Sequence, residues 1–94
     1  MKLIWAEAAE ADLDAIVDFI ARDNVTAALE VEDRIRRAAA RLLQFPRRGR
    51  RGQIVGTYEL VVPHTSHFIV YGIEGEVVSI FHITHGRQQW PPTQ

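Results

Sequence analysis

The chain has 94 residues, of which 47% are apolar, so it supports one modest hydrophobic core in a single domain, residues 1–94, with room for stabilisation by a partner. It contains no cysteine, which excludes a disulfide framework, a thiolate metal site and a thiol nucleophile; no apolar run approaches the roughly 20 residues that span a bilayer. The net charge of −1 conceals three blocks: nine acids and two bases in residues 1–33, eight arginines and no acid in 34–52, three acids and one arginine in 53–94, a separation whose field steers partners.

Leu3, Ile4 and Trp5 predict a short opening strand. A helix is expected from Ala6 to Ala21, because Leu13, Ile16, Val17 and Ile20 fall at i, i+3, i+4 and i+7 and share one face. Asp23 and Asn24 interrupt it, and Asn24 is suited to cap the next helix. That second helix is expected from Val25 to Phe45, with Ala28, Val31, Ile35, Ala38, Leu42 and Phe45 along a narrow apolar seam and Pro46 as its stop. Glu30–Arg34, Glu32–Arg36 and Asp33–Arg37 are i, i+4 pairs with the acid first, each worth about 0.2–0.5 kcal/mol. Arg47 to Gly52, RRGRRG, reads as a flexible basic loop.

After it the apolar period changes to two. Strands are expected at Thr57–Val62, ended by Pro63, at His67–Ile73, and at Glu76–Thr84, with Glu74-Gly75 as the tight turn between the last two. The order strand, helix, helix, three-stranded antiparallel meander predicts an α+β fold with the helical hairpin on one face of the sheet and the other face left as a concave surface.

Several residue groups could carry chemistry. Four arginines within RRGRRG, namely Arg47, Arg48, Arg50 and Arg51, suit bidentate contact with phosphates or carboxylates; the plain alternative is a solvated loop. Arg34, Arg36 and Arg37 have acids within their own helix, whereas Arg41 has none and can join the loop. The histidines occur as His64-x-x-His67 and His82-x-x-His85, but residues three apart on a strand point to opposite faces, so neither pair makes a natural chelate and no metal is expected. No motif calls for a cofactor. Glu59 as base, His85 as acid and Arg87 as cation are the parts needed to cleave RNA through its 2′-hydroxyl; the structural alternative has His85 and Arg87 packing at the sheet edge. Trp5 and Trp90 read as anchors in or beside the core.

The combination of the opening strand ending in Trp5, Leu13-x-x-Ile16, Phe45-Pro46, Glu59-Leu60-Val61-Val62, Ile69-Val70-Tyr71 and His85-Gly86-Arg87-x-x-Trp90-Pro91 resembles the ParE branch of the ParE/RelE toxin superfamily over nearly the whole chain. The resemblance implies the same order of elements and a toxin that inhibits DNA gyrase by binding, without catalytic residues of its own. It implies a cognate ParD-like antitoxin in a hetero-oligomer, laying apolar residues along the hairpin and sheet. RelE-like relatives instead cut messenger RNA on the ribosome with basic residues of the second and third meander strands. Those positions fall near Glu59, Val61 and Phe68 here, and only Arg87 has a counterpart. The expectation is therefore a cytoplasmic, non-enzymatic toxin of a toxin–antitoxin system. Target contact is expected at Arg47, Arg48, Arg50, Arg51, His85, Arg87 and Trp90. A ribosome-dependent endoribonuclease using Glu59, His85 and Arg87, or a non-toxic antitoxin-binding relative, stands as the alternative. No recognisable nucleic-acid-binding motif is present.

Overall fold

A computed structural model describes residues 1–86, 90 and 91. Among them the elements run β1 (Lys2–Trp5), α1 (Glu7–Ala21), α2 (Val25–Arg41), β2 (Arg50–Arg51), β3 (Tyr58–Val61), β4 (His67–Glu74) and β5 (Val77–His85). The strands form one five-stranded sheet in the order β1-β5-β4-β3-β2, with β1 parallel to β5 and the other neighbours antiparallel. The α+β class and the helical hairpin agree with expectation.

Each helix starts for a local reason. The Ala6 carbonyl accepts from the amides of Ala9 and Glu10, and Glu7 and Glu10 place negative charge in the first turn of α1, where the helix dipole favours it. Asn24 caps α2 as expected, its Oδ1 accepting from the Ala27 amide at 3.0 Å. Ala9, Leu13, Ile35, Ala39 and Leu42 from the hairpin side meet Val62, Ile69, Tyr71, Val78, Ile80 and Ile83 of the sheet side in one buried cluster, with Trp5, Ile16 and Val17 packed against it. Between the helices, Arg36 bonds Glu10 at 2.9 Å and lies 5.0 Å from the centre of the Trp5 ring.

The structure corrects several expectations. α2 ends at Arg41, not Phe45: the next amides reach back three residues, Leu42 to Ala39 and Leu43 to Ala40, and Phe45 leaves the apolar seam to stand 53% exposed. The Arg47–Gly52 segment is not simply a loop, because Arg50 and Arg51 pair with Glu59 and Tyr58 and add a fifth strand. The hairpin turn is Gly75-Glu76 instead of Glu74-Gly75; Gly75 has φ 58°, a left-handed conformation at the first central position that only glycine takes at no cost. Glu32–Arg36 and Asp33–Arg37 pair, at 3.8 and 2.8 Å, but no ion pair joins Glu30 to Arg34 among the described residues.

The face away from the helices is also not bare. Phe68, Val70 and Gly72, which alternate with the core residues of β4, are buried. Part of the cover comes from a bulge in β5. Val70 opposes His82 and Tyr71 opposes Ile80, so Phe81 is the extra residue, and its ring lies where a Cβ on Gly72 would approach Cε2 to 2.8 Å. No described helix is long and apolar enough to cross a membrane.

Candidate functional site

The basic segment after α2 is held from the sheet. The Tyr71 hydroxyl, inside the core, donates to the Pro46 carbonyl at 2.8 Å and accepts from the Gly49 amide at 2.9 Å. Burial raises its pKa above the usual tyrosine value, which keeps the donated proton in place. Tyr58 stacks on Tyr71 with ring centres 5.5 Å apart, and its hydroxyl accepts from Arg47 Nη1 at 2.9 Å. Gly49 is where the chain passes closest: a Cβ there would stand 2.8 Å from both the Glu59 carbonyl and the Tyr71 hydroxyl.

The four arginines therefore separate. Arg50 reaches Glu59 at 3.2 Å, and the other oxygen of that carboxylate accepts from the Gln53 amide at 3.2 Å. Glu59 is 4% exposed, so it holds β2 in place through these two bonds. Arg51 is exposed and forms no ion pair among the described residues. Arg48 turns towards α2. There Arg34, Arg37, Arg41 and Arg48 ring a groove of about 210 Å³, with Ala38, Leu60, Val61, Pro63 and His64 completing its lining. A second hollow shares Arg41 and Arg48 with it and adds Phe45, Pro46 and Arg47. No acid lines either. Arg37 is paired with Asp33; Arg34, Arg41 and Arg48 have no ion pair among the described residues.

The histidines gather differently from the spacing argument. His67 and His85 are direct partners across β4 and β5, their rings edge-to-face with centres 5.1 Å apart. Burial, and then the neighbouring His85, hold the His67 pKa below its ordinary value. Its Nδ1 is buried without a hydrogen-bond partner among the described residues. No third histidine, aspartate or glutamate completes a metal-binding group with them among the described residues. His82 lies where β1 has ended along the β5 edge. Its Nδ1 is 3.0 Å from Asp12 Oδ2, and the same oxygen accepts from the Ile83 amide at 3.0 Å. The Trp90 ring packs on His82 at 5.1 Å.

Glu59 and His85 are not brought together. Glu59 opposes Val70, while His85 opposes His67, three residues further along β4, or about 10 Å. Arg87 lies outside the described residues. Sequence reasoning missed the His67–His85 pair because spacing along one strand does not show what lies across it; the Gly75 turn by itself would set His67 opposite Thr84, and the bulge at Phe81 moves the register by one residue to bring His85 there. It also missed Asp12, whose role depends on where β1 stops. The i, i+4 spacing pairs Arg34 with Glu30, but no such ion pair forms among the described residues and Arg34 lines the groove instead.

A model of the ParE toxin of the type II toxin–antitoxin system parDE matches residues 3–90. Y4kP of Sinorhizobium fredii (strain NBRC 101917 / NGR234), inferred to be a toxin, is 37% identical over 90 residues, which cover 96% of this chain and 93% of that protein. Among solved structures, a chain of the chromosomal ParDE toxin–antitoxin system from P. aeruginosa superposes with a TM-score of 0.81 at 25% identity, covering 90% of this chain and 95% of that one. The family match, the sequence likeness and the superposition each extend over almost the full length. The chain belongs to the ParE toxin family of type II toxin–antitoxin systems.

Proposed function

We propose that this ParE-type toxin acts in the cytoplasm by gripping DNA gyrase without cleaving nucleic acid itself, and that a ParD-like antitoxin neutralises it. The observation that carries the reading is the chemistry of three positions. RelE-like cleavage places cations near Glu59, Val61 and Phe68. Here the first is an acid tied to Arg50 and the Gln53 amide, and the other two are apolar, with Phe68 buried. Cleavage through the 2′-hydroxyl develops negative charge on the phosphate, and removing the donors that face it costs most of the rate. Binding does not need those groups.

The antitoxin part of the reading is supported by Phe19, Val25 and Leu29, all more than half exposed at the end of the helical hairpin, apolar surface that a partner would cover. Target contact is assigned to Arg47, Arg48, Arg51, His85, Arg87 and Trp90, with Arg50 contributing through its hold on Glu59.

The test uses purified toxin, gyrase, ATP and supercoiled plasmid. Linear DNA released on denaturing the enzyme is the expected product, and antitoxin added first should prevent it. Intact plasmid in that assay, together with codon-phased cuts in ribosome-bound message, would reverse the assignment.

A further inference from the structure

We propose that the arginine groove between α2 and the β3 edge binds the backbone of single-stranded nucleic acid, with Phe45 as a stacking platform for a base. Arg34, Arg37 and Arg41 recur at i, i+3 and i+7, so they line one side of α2 at rises of about 4.5 and 6 Å. Arg48 closes the row from the far side of the turn and belongs to both hollows, so the basic path is continuous. Three of the four have no ion pair among the described residues, and no acid interrupts the lining. A guanidinium fork matches a phosphate in shape, and a row of them with few counter-charges releases bound counterions when a polyanion takes their place.

Charge alone would serve an acidic peptide equally. Phe45 decides between them. The residue is 53% exposed, beside Pro46 and among Arg41, Arg47 and Arg48. An aromatic face flanked by cations is what an unstacked base uses, and a carboxylate has no use for it. The groove floor of Leu60, Val61 and Pro63 offers further apolar surface for bases or sugars. In a duplex those base faces are occupied, which is why the single strand is the occupant. This inference is independent of the gyrase reading, since it concerns the isolated chain.

The experiment measures anisotropy of a fluorescent oligothymidylate with purified toxin at rising salt. Binding is expected at 50 mM salt and should weaken with a logarithmic slope of about −2 to −3, as three or four phosphate contacts on a single strand give. Arg41→Ala with Arg48→Ala should lower the affinity at least tenfold. Phe45→Leu should lower it about tenfold and Phe45→Tyr should restore it. Arg22→Ala, in the turn between the helices, should change nothing. These side chains are exposed, and unchanged circular dichroism will show that the variants fold. The proposal is overturned if the oligonucleotide does not bind at 50 mM salt or if Arg22→Ala weakens binding as much as the groove variants do. It is equally overturned if polyglutamate binds as tightly while Phe45→Leu leaves oligonucleotide affinity unchanged, which would make the groove a site for acidic peptide.

Discussion

Asp12 and His82 are seventy residues apart in sequence, and their side chains meet at 3.0 Å where β1 gives way to α1. β1 pairs with β5 only as far as Trp5 opposite Ile80, and the Ala6 amide makes the last bond to that edge. Beyond it the β5 amide of Ile83 has no strand beside it, and the Asp12 carboxylate takes that place. The same oxygen fixes His82, on which Trp90 rests. Asp12→Ala should therefore lower stability by about 1–2 kcal/mol, read as a lower urea midpoint. It should also raise Trp90 fluorescence exposure, a response that the higher helix propensity of alanine does not produce.

Tyr71→Phe changes no volume of note and removes one oxygen that serves two backbone groups, the Pro46 carbonyl and the Gly49 amide. Both lose their partner in a part-buried setting. We expect a loss of about 1–3 kcal/mol. Hydrogen exchange should localise it: the Gly49 amide should lose its protection first, while amides of the β4–β5 hairpin keep theirs until global unfolding.

Arginines of the basic segment should not behave alike. Arg50→Ala leaves Glu59, which is nearly inaccessible, with the Gln53 amide as its remaining partner. Arg50 itself is largely exposed, so solvent screens part of the pair and the expected loss is about 1–2 kcal/mol. Arg48→Ala and Arg51→Ala break no ion pair among the described residues and should leave the stability within about 0.5 kcal/mol of the parent. In growth assays without antitoxin, weaker toxicity in Arg48→Ala or Arg51→Ala at unchanged stability would mark target contact; unchanged toxicity would remove that arginine from the contact surface.

Periodicity made the hairpin and the strands legible, because Leu13, Ile35, Ile69 and Ile80 are buried for the reason their spacing implies: each lies on the stripe its element turns to the core. Where propensity depends on a distant group, the sequence was silent. Arg50 and Arg51 read as loop residues, and they pair as a strand only because Glu59 and Tyr71 hold the flanking backbone. Phe45 fits the α2 seam by count, but the helix tightens after Arg41 and rotates the ring outward. The bulge at Phe81 likewise has no signature except Gly72 on the neighbouring strand. The basic groove was half legible: the arginines were evident as a block, yet their convergence with Leu60 and Pro63 is a property of the packed fold.

The His67–His85 pair gives the stability a pH dependence whose sign is fixed. The folded state lowers the His67 pKa, first by burying the ring and then by placing His85 beside it. An unfolded chain returns the imidazole to an ordinary value near 6.5, so below that pH the unfolded state binds a proton that the folded state refuses. The contribution is thus neutral above about pH 6.5, where the imidazole is uncharged in both states, and becomes destabilising as the pH falls from there towards the folded pKa. Urea midpoints should drop between pH 7.5 and pH 5.5. His67→Gln, which keeps a polar group of similar length but cannot titrate, should flatten that drop while leaving the other carboxylate-driven changes at lower pH in place. A drop of the same size in His67→Gln would place the titrating group elsewhere, and direct NMR titration of the His67 ring would then show a pKa at its ordinary value.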